Sequence, residues 1–136
     1  MASNLEESLL AHEGLKLTPY TDTRGVLTVG VGRNLQVGLS KDEALFLMRN
    51  DISRCRKELA SYLFFKHLDP VRQDVLIELC FNLGLAGLLK FKKMLDAIQS
   101  KSYSIAANEL LDSLWAKQVG QTRSKNLANR LKTGQY

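Results

Sequence analysis

Leucines recur at helical spacing near the start of the chain. Leu5, Leu9 and Leu10 follow a Ser3 or Asn4 cap that has Glu6 or Glu7 three residues on, and Gly14 ends the pattern. From residue 15 to 36 the periodicity shortens. Leu17-Thr18, Val26 to Val29 and Val31 alternate with Asp22-Thr23-Arg24-Gly25, Gly30 and Gly32, which predicts a small antiparallel sheet with tight turns. Ser40-Lys41-Asp42-Glu43 then opens a helix to about residue 61, with Ala44, Leu45, Leu47, Met48, Ile52, Cys55 and Leu59 as its apolar stripe. Asp69-Pro70 begins a strongly apolar helix through Val71, Val75, Leu76, Leu79, Cys80 and Leu83, the predicted centre of the core. Gly84 and Gly87 punctuate it. A short helix is expected over 88–99. Another runs from Ser102 or Ser104 to Leu114, with Ile105, Ala106, Leu110 and Leu111 inward, and a last helix or pair of turns covers 118–131. No internal repeat or low-complexity linker breaks the sequence.

Composition narrows the class. At 136 residues, 45% hydrophobic and 24% charged, the chain has the make-up of one globular domain with a core of its own. It has no run of apolar residues long enough to span a bilayer, and the acids of the N-terminal stretch are unlike a secretory signal, so accumulation in the cytoplasm is expected. Cys55 and Cys80 lie within apolar helical patterns without metal-site partners, which favours reduced core thiols. The charge of +5 suits polyanionic partners, among them nucleic acid, anionic lipid and bacterial cell wall. The basic run of Lys117, Arg123, Lys125, Arg130 and Lys132 is read first as a solvated helix face.

The candidate chemistry is concentrated between residues 12 and 32. Glu13 ends the first helix, beside its apolar face and near the negative end of the dipole, both of which raise a carboxyl pKa. Asp22 precedes a hairpin turn, and Thr28 sits in a strand. Two acids with a polar neighbour suit glycosidic hydrolysis, one protonating the leaving oxygen and the other activating water. Gly30 and Gly32, lacking side chains, would let a sugar approach the backbone.

Glu13 and Asp22 with eight residues between them, Thr28 after five more intervening residues, and Val29-Gly30-Val31-Gly32 resemble the signature of the phage-type lysozymes, glycoside hydrolase family 24. Arg72-Gln73-Asp74-Val75-Leu76, Phe81-Asn82-Leu83-Gly84, Trp115, Gln118, Arg123 and Thr133-Gly134 carry the likeness through nearly the whole chain. The resemblance implies an α+β, predominantly helical, two-lobe fold in a single domain. Its small antiparallel β-lobe (about 14–39) would be joined by a long helix (about 40–61) to a helical lobe of residues 62–136 plus helix 3–13, with a cleft between.

The same resemblance implies that Glu13 is the general acid, that Asp22 and Thr28 hold the attacking water, and that the reaction inverts the anomeric carbon. It makes Gly30, Gly32, Asn34, Phe81 and Asn82 substrate-binding positions. Arg123 is expected to pair with the catalytic glutamate, Gln118 to support the site, and Trp115 to belong to the core. The implied substrate is the β-1,4 bond between N-acetylmuramic acid and N-acetylglucosamine in peptidoglycan. No cofactor, metal or nucleic acid is expected. The implied protein is a monomeric endolysin that waits in the host cytoplasm and reaches the periplasm and wall through a membrane-permeabilising partner such as a holin. A non-catalytic peptidoglycan-binding or scaffolding protein is the alternative. Arg33 stands where many relatives have histidine, so a histidine–acid pair is not expected.

Overall fold

The computed structural model describes residues 1–136, in two compact units, 1–47 and 48–136. In the first, α1 (Asn4–Glu13) starts at a reciprocal cap: Ser3 Oγ accepts from Glu6 N–H at 3.1 Å, and Glu6 Oε2 accepts from Ser3 N–H at 2.6 Å. It ends at Gly14, whose N–H donates to the Leu10 carbonyl. Three strands follow as an antiparallel meander: β1 (Lys16–Thr21), β2 (Leu27–Gly30) and β3 (Arg33–Asn34). Tyr20 lies opposite Thr28, and Thr28 in turn opposite Asn34.

Two expectations need correction here. Val31 is not in a strand; it forms the turn between β2 and β3, with Gly30 and Gly32 at φ +72° and +65° on either side. Leu5, Leu9 and Leu10 do not face a core, and Glu13 is exposed rather than half-buried. In this unit the strands are short, and Thr28 is the one buried residue, so no local core exists to cover the helix.

Helix α2 (Lys41–Leu59) begins in the first unit and ends in the second. Its start is the Ser40–Glu43 capping box read from sequence, with both hydrogen bonds formed. The second unit contains α3 (Leu63–Lys66), α4 (Pro70–Leu89), α5 (Lys92–Gln99), α6 (Tyr103–Leu111), α7 (Leu114–Val119) and α8 (Gln121–Thr133). Asp69 caps α4 through Arg72 N–H, and Pro70 occupies the first turn, where its missing donor costs nothing. Gly84, at φ +76°, interrupts α4 as its sequence position foretold.

The core is built from Val75, Leu76, Leu79 and Cys80 of α4 with Cys55, Leu59, Leu88, Met94, Ile98, Leu110, Leu127 and Leu131. Cys80 lies beside Cys55, and burial foremost, then that neighbour, pushes its thiol up to about 12. Ile105 and Leu111, expected inward, are exposed. Helix α6 packs on α5 and α8 through Ala106, Ala107 and Leu110, a narrow face that leaves positions 105 and 111 outside it. The helix expected over 88–99 is broken at Lys90–Phe91, and Ser113 caps a separate α7 where one helix to Leu114 was expected. No helix is long and apolar enough to cross a membrane.

Arg72 ties the start of α4 to the end of α8. Its Nε donates to the Leu131 carbonyl at 2.6 Å and its Nη2 to the Lys132 carbonyl at 2.8 Å. Nη1 bonds Asp69 Oδ1 at 2.9 Å, and the guanidinium lies 3.7 Å from the centre of the Tyr103 ring. These bonds satisfy carbonyls that the end of α8 leaves without intrahelical partners. Gly134 completes the cap in the left-handed conformation, directly under the guanidinium: a Cβ there would stand 2.8 Å from Arg72 Nη1.

Candidate active site

The first unit holds Glu13, Asp22 and Thr28 on contiguous pieces of chain. Glu13 is the last residue of α1, and its carboxylate rests on the β2–β3 turn. A Cβ built on Gly32 would stand 2.6 Å from Glu13 Oε2, closer than side-chain atoms tolerate. The glycine therefore makes room for the acid. Gly30 differs: a Cβ there would meet nothing within 4 Å, so the backbone is open to an approaching ligand on that side.

Replacing Gly32 with alanine is expected to push the carboxylate off the turn and also to strain a backbone held at φ +65°. With Glu13 expected to be the proton donor, turnover should fall about tenfold, the effect of a small displacement of a reacting group. Steady-state rates on soluble peptidoglycan fragments would measure it, and an unchanged rate would show that Glu13 does not need this seat.

Asp22 commits one of its two carboxylate oxygens to the local turn. Oδ1 accepts from the Arg24 N–H at 2.8 Å and the Val26 N–H at 2.9 Å, folding the turn between β1 and β2. The turn is closed by Asp22 N–H donating to the Val26 carbonyl and Gly25 N–H to the Asp22 carbonyl. Oδ2 takes no part in these bonds. The Val26 hydrogen bond, helped by Arg24, holds the Asp22 carboxyl below its ordinary value, so the group is an anion at neutral pH.

A depressed pKa in the folded chain means that the charged form is favoured above the unfolded pKa and lost as pH falls through the folded one. The acid limb of the activity profile is accordingly expected below the usual range for an aspartate. A limb at or above that range, in rates measured across pH on soluble fragments, would disagree with these bonds.

Thr28 is buried, and its Oγ1 donates to the Val26 carbonyl at 2.8 Å. With its hydrogen so engaged, the hydroxyl offers only lone pairs to a further partner. Asn34 Oδ1 accepts from Gln36 N–H at 2.9 Å and caps the 3-10 turn Leu35–Val37, leaving its amide NH2 as the group available for a ligand.

Phe81, Asn82, Gln118 and Arg123 lie in the second unit. Phe81 is exposed and, with Met48, Ile52 and Ile77, lines a groove of about 430 Å³ whose rim carries Glu78 and Arg123. Asn82 is exposed too, but its Oδ1 accepts from Trp115 Nε1 at 2.8 Å, so the amide fixes a buried indole as well as facing outward. Gln118 is exposed near the end of α7. The acid that the structure pairs with Arg123 is Glu78 of α4, bonded to its Nε at 3.2 Å.

The sequence reading did not single out Glu78, which is 45 residues away from its partner. Its one local signal is to be an acid within the most apolar helix. Nor did it join Arg33 to Glu43. Arg33 Nη1 donates to Glu43 Oε1 at 3.0 Å, and its Nη2 pairs with Oε2. That ion pair and the backbone N–H of Ser40 hold the Glu43 carboxyl down to about 2.

Helices with a three-stranded meander, in which the end of α1, the turn after β1 and strand β2 carry two acids and a hydroxyl, are the architecture of a lysozyme-type glycosidase. The sequence comparisons agree. Residues 10–133 match the phage lysozyme family model, and the chain belongs to the phage lysozyme family. It is 29% identical to the probable T4-type lysozyme 1 of Dictyostelium discoideum, over 98% of this chain and 96% of that one. The endolysin of Salmonella phage P22 is 28% identical over 86% of this chain and 84% of its own length. The pre-baseplate central spike protein Gp5 of Enterobacteria phage T4 is 26% identical over 85% of this chain, a match to 25% of that larger protein. The protein is thus a lysozyme-type muramidase.

Proposed function

We propose that this lysozyme cleaves the β-1,4 bond between N-acetylmuramic acid and N-acetylglucosamine by a single inverting displacement. The carboxyl of Glu13 gives its proton to the glycosidic oxygen as the C1–O bond breaks. Water attacks C1 from the opposite face and loses a proton to Oδ2 of Asp22, while Thr28 orients it through a lone pair. The observation that carries this reading is the division of the Asp22 carboxylate: one oxygen is spent on the turn, and the other is ionised and uncommitted. Inversion needs space for water between the acids, a carboxyl separation of roughly 6.5–9.5 Å. Gly30, Gly32, Asn34, Phe81 and Asn82 contact the glycan in this reading. Gln118 and Arg123 support it, and no cofactor takes part.

The biological role we infer is lysis of a bacterial host by a monomeric endolysin. It accumulates in the cytoplasm and meets the wall once a holin-like partner opens the membrane. Cells that lyse on producing this chain alone, with the inner membrane intact, would contradict that dependence.

The chemical test is digestion of outer-membrane-stripped walls, followed by the turbidity, the new reducing ends and their anomeric form at early times. Muramic acid ends appearing first as the α-anomer support the reading; glucosamine ends or a first-formed β-anomer overturn it. Asp22→Asn should keep the turn, because its amide oxygen still accepts both N–H groups, yet lower turnover by about 10²-fold or more through loss of the base. A wild-type protein that sediments with walls but never clears them would instead be a binding or scaffolding protein.

A further inference from the structure

We propose that Arg33 is a positioning residue for the catalytic acid: by gripping Glu43 and the Gly38 carbonyl, it fixes the β2–β3 turn on which the Glu13 carboxylate is seated. The inference rests on the reading of Glu13 as the proton donor.

Three contacts carry it, all within the first unit. The first is the seat itself, Gly32, whose missing side chain is replaced by the Glu13 carboxylate. A seat made of backbone at φ +65° is only as well placed as the strands on either side of the turn. The second is the strand pairing. β3 is just two residues, Arg33 and Asn34, set opposite Val29 and Thr28. A two-residue strand offers few ladder bonds with which to hold the turn in register.

The third contact supplies what the strand lacks. The Arg33 guanidinium reaches forward to both oxygens of Glu43 in the first turn of α2 and to the Gly38 carbonyl at 3.5 Å. Glu43 is itself immobilised, because its Oε1 accepts from the Ser40 N–H and its own N–H donates to Ser40 Oγ at 3.1 Å. A fork-shaped donor on a carboxylate that the helix start already holds fixes direction as well as distance. The pair is half-exposed and contributes little to global stability. Its larger consequence is local: residues 30–32 are anchored through the strand residue that follows them. Because Glu43 stays charged down to about pH 2, the clamp persists over the whole range in which the enzyme would work.

The test is a set of variants assayed on soluble, uncrosslinked peptidoglycan fragments. Arg33→Ala is expected to lower kcat about tenfold and leave KM within about twofold, as displacement of a reacting group does. Arg33→Lys, which keeps one contact to Glu43, should recover part of the loss. Leu110→Ala opens a cavity in the core of the second unit and leaves the clamp untouched. It should lower the melting temperature without lowering kcat, which separates positioning from mere stability.

In a Glu13→Gln background, Arg33→Ala should cost nothing further, since no acid remains to be placed. Unchanged kcat in Arg33→Ala beside an inactive Glu13→Gln would overturn the proposal while leaving Glu13 as the acid. So would an Arg33→Ala loss that repeats in full in the Glu13→Gln background. A fully active Glu13→Gln would overturn the assignment beneath it.

Discussion

Glu13→Gln is expected to lower turnover on peptidoglycan by about 10³-fold, the size of a lost general acid. Glutamine has the volume of glutamate and fits the space above Gly32, but it has no proton to give to the leaving oxygen. The side chain is exposed, so the exchange should leave the melting temperature unchanged. Sedimentation with walls should persist as well, since binding does not need proton transfer. The decisive comparison is the reducing ends released by the two proteins from the same wall preparation. A variant within tenfold of the wild type would mean that the proton comes from elsewhere, and that the contact with Gly32 is only packing.

Arg72→Ala should produce the largest loss of stability, about 3 kcal/mol, because hydrogen bonds from a charged donor are among the stronger ones and several disappear at once. Its side chain is only 13% exposed, so water cannot readily replace it. The substitution strands the carbonyls of Leu131 and Lys132 at the end of α8, removes the partner of Asp69, and leaves the Tyr103 ring without its cation. A loss of this size corresponds to a fall of roughly 10 °C in melting temperature for a chain of this length. Arg72→Lys should restore less than half, since one ammonium cannot reach two carbonyls and a carboxylate while lying flat on a ring. Thermal unfolding followed by circular dichroism would measure both. A change below about 1 kcal/mol in Arg72→Ala would show that the end of α8 is held by Gly134 and by packing alone.

Arg72 also illustrates where sequence reasoning stops. Features whose cause is local were readable: the Ser3–Glu6 and Ser40–Glu43 caps, the Asp69-Pro70 helix start, the turn after Asp22, and the breaks at Gly14 and Gly84. Each depends on groups within a few positions of one another, so spacing alone encodes it. The motif Glu13, Asp22 and Thr28 was readable for the same reason, lying in one short stretch.

Pairings across dozens of residues were not. Nothing in the chain order links Arg72 to Leu131, Trp115 to Asn82, or Arg123 to Glu78. Helical periodicity also identifies an apolar face without saying what covers it: Leu5, Leu9 and Leu10 form such a face and Ile105 falls on another, yet all four lie exposed. Helix α3 went unseen because it is one turn long and has no side-chain cap.

The two oxygens of Asp22 bear on how such a protein changes over generations. Folding of the hairpin asks for an acceptor at Oδ1, which asparagine provides as well as aspartate. In the proposed mechanism only hydrolysis asks for the negative charge. Selection for a folded chain would therefore tolerate the amide, and selection for catalysis alone would remove it. A lineage that came to need attachment to the wall more than its destruction lies a single, structurally silent exchange away.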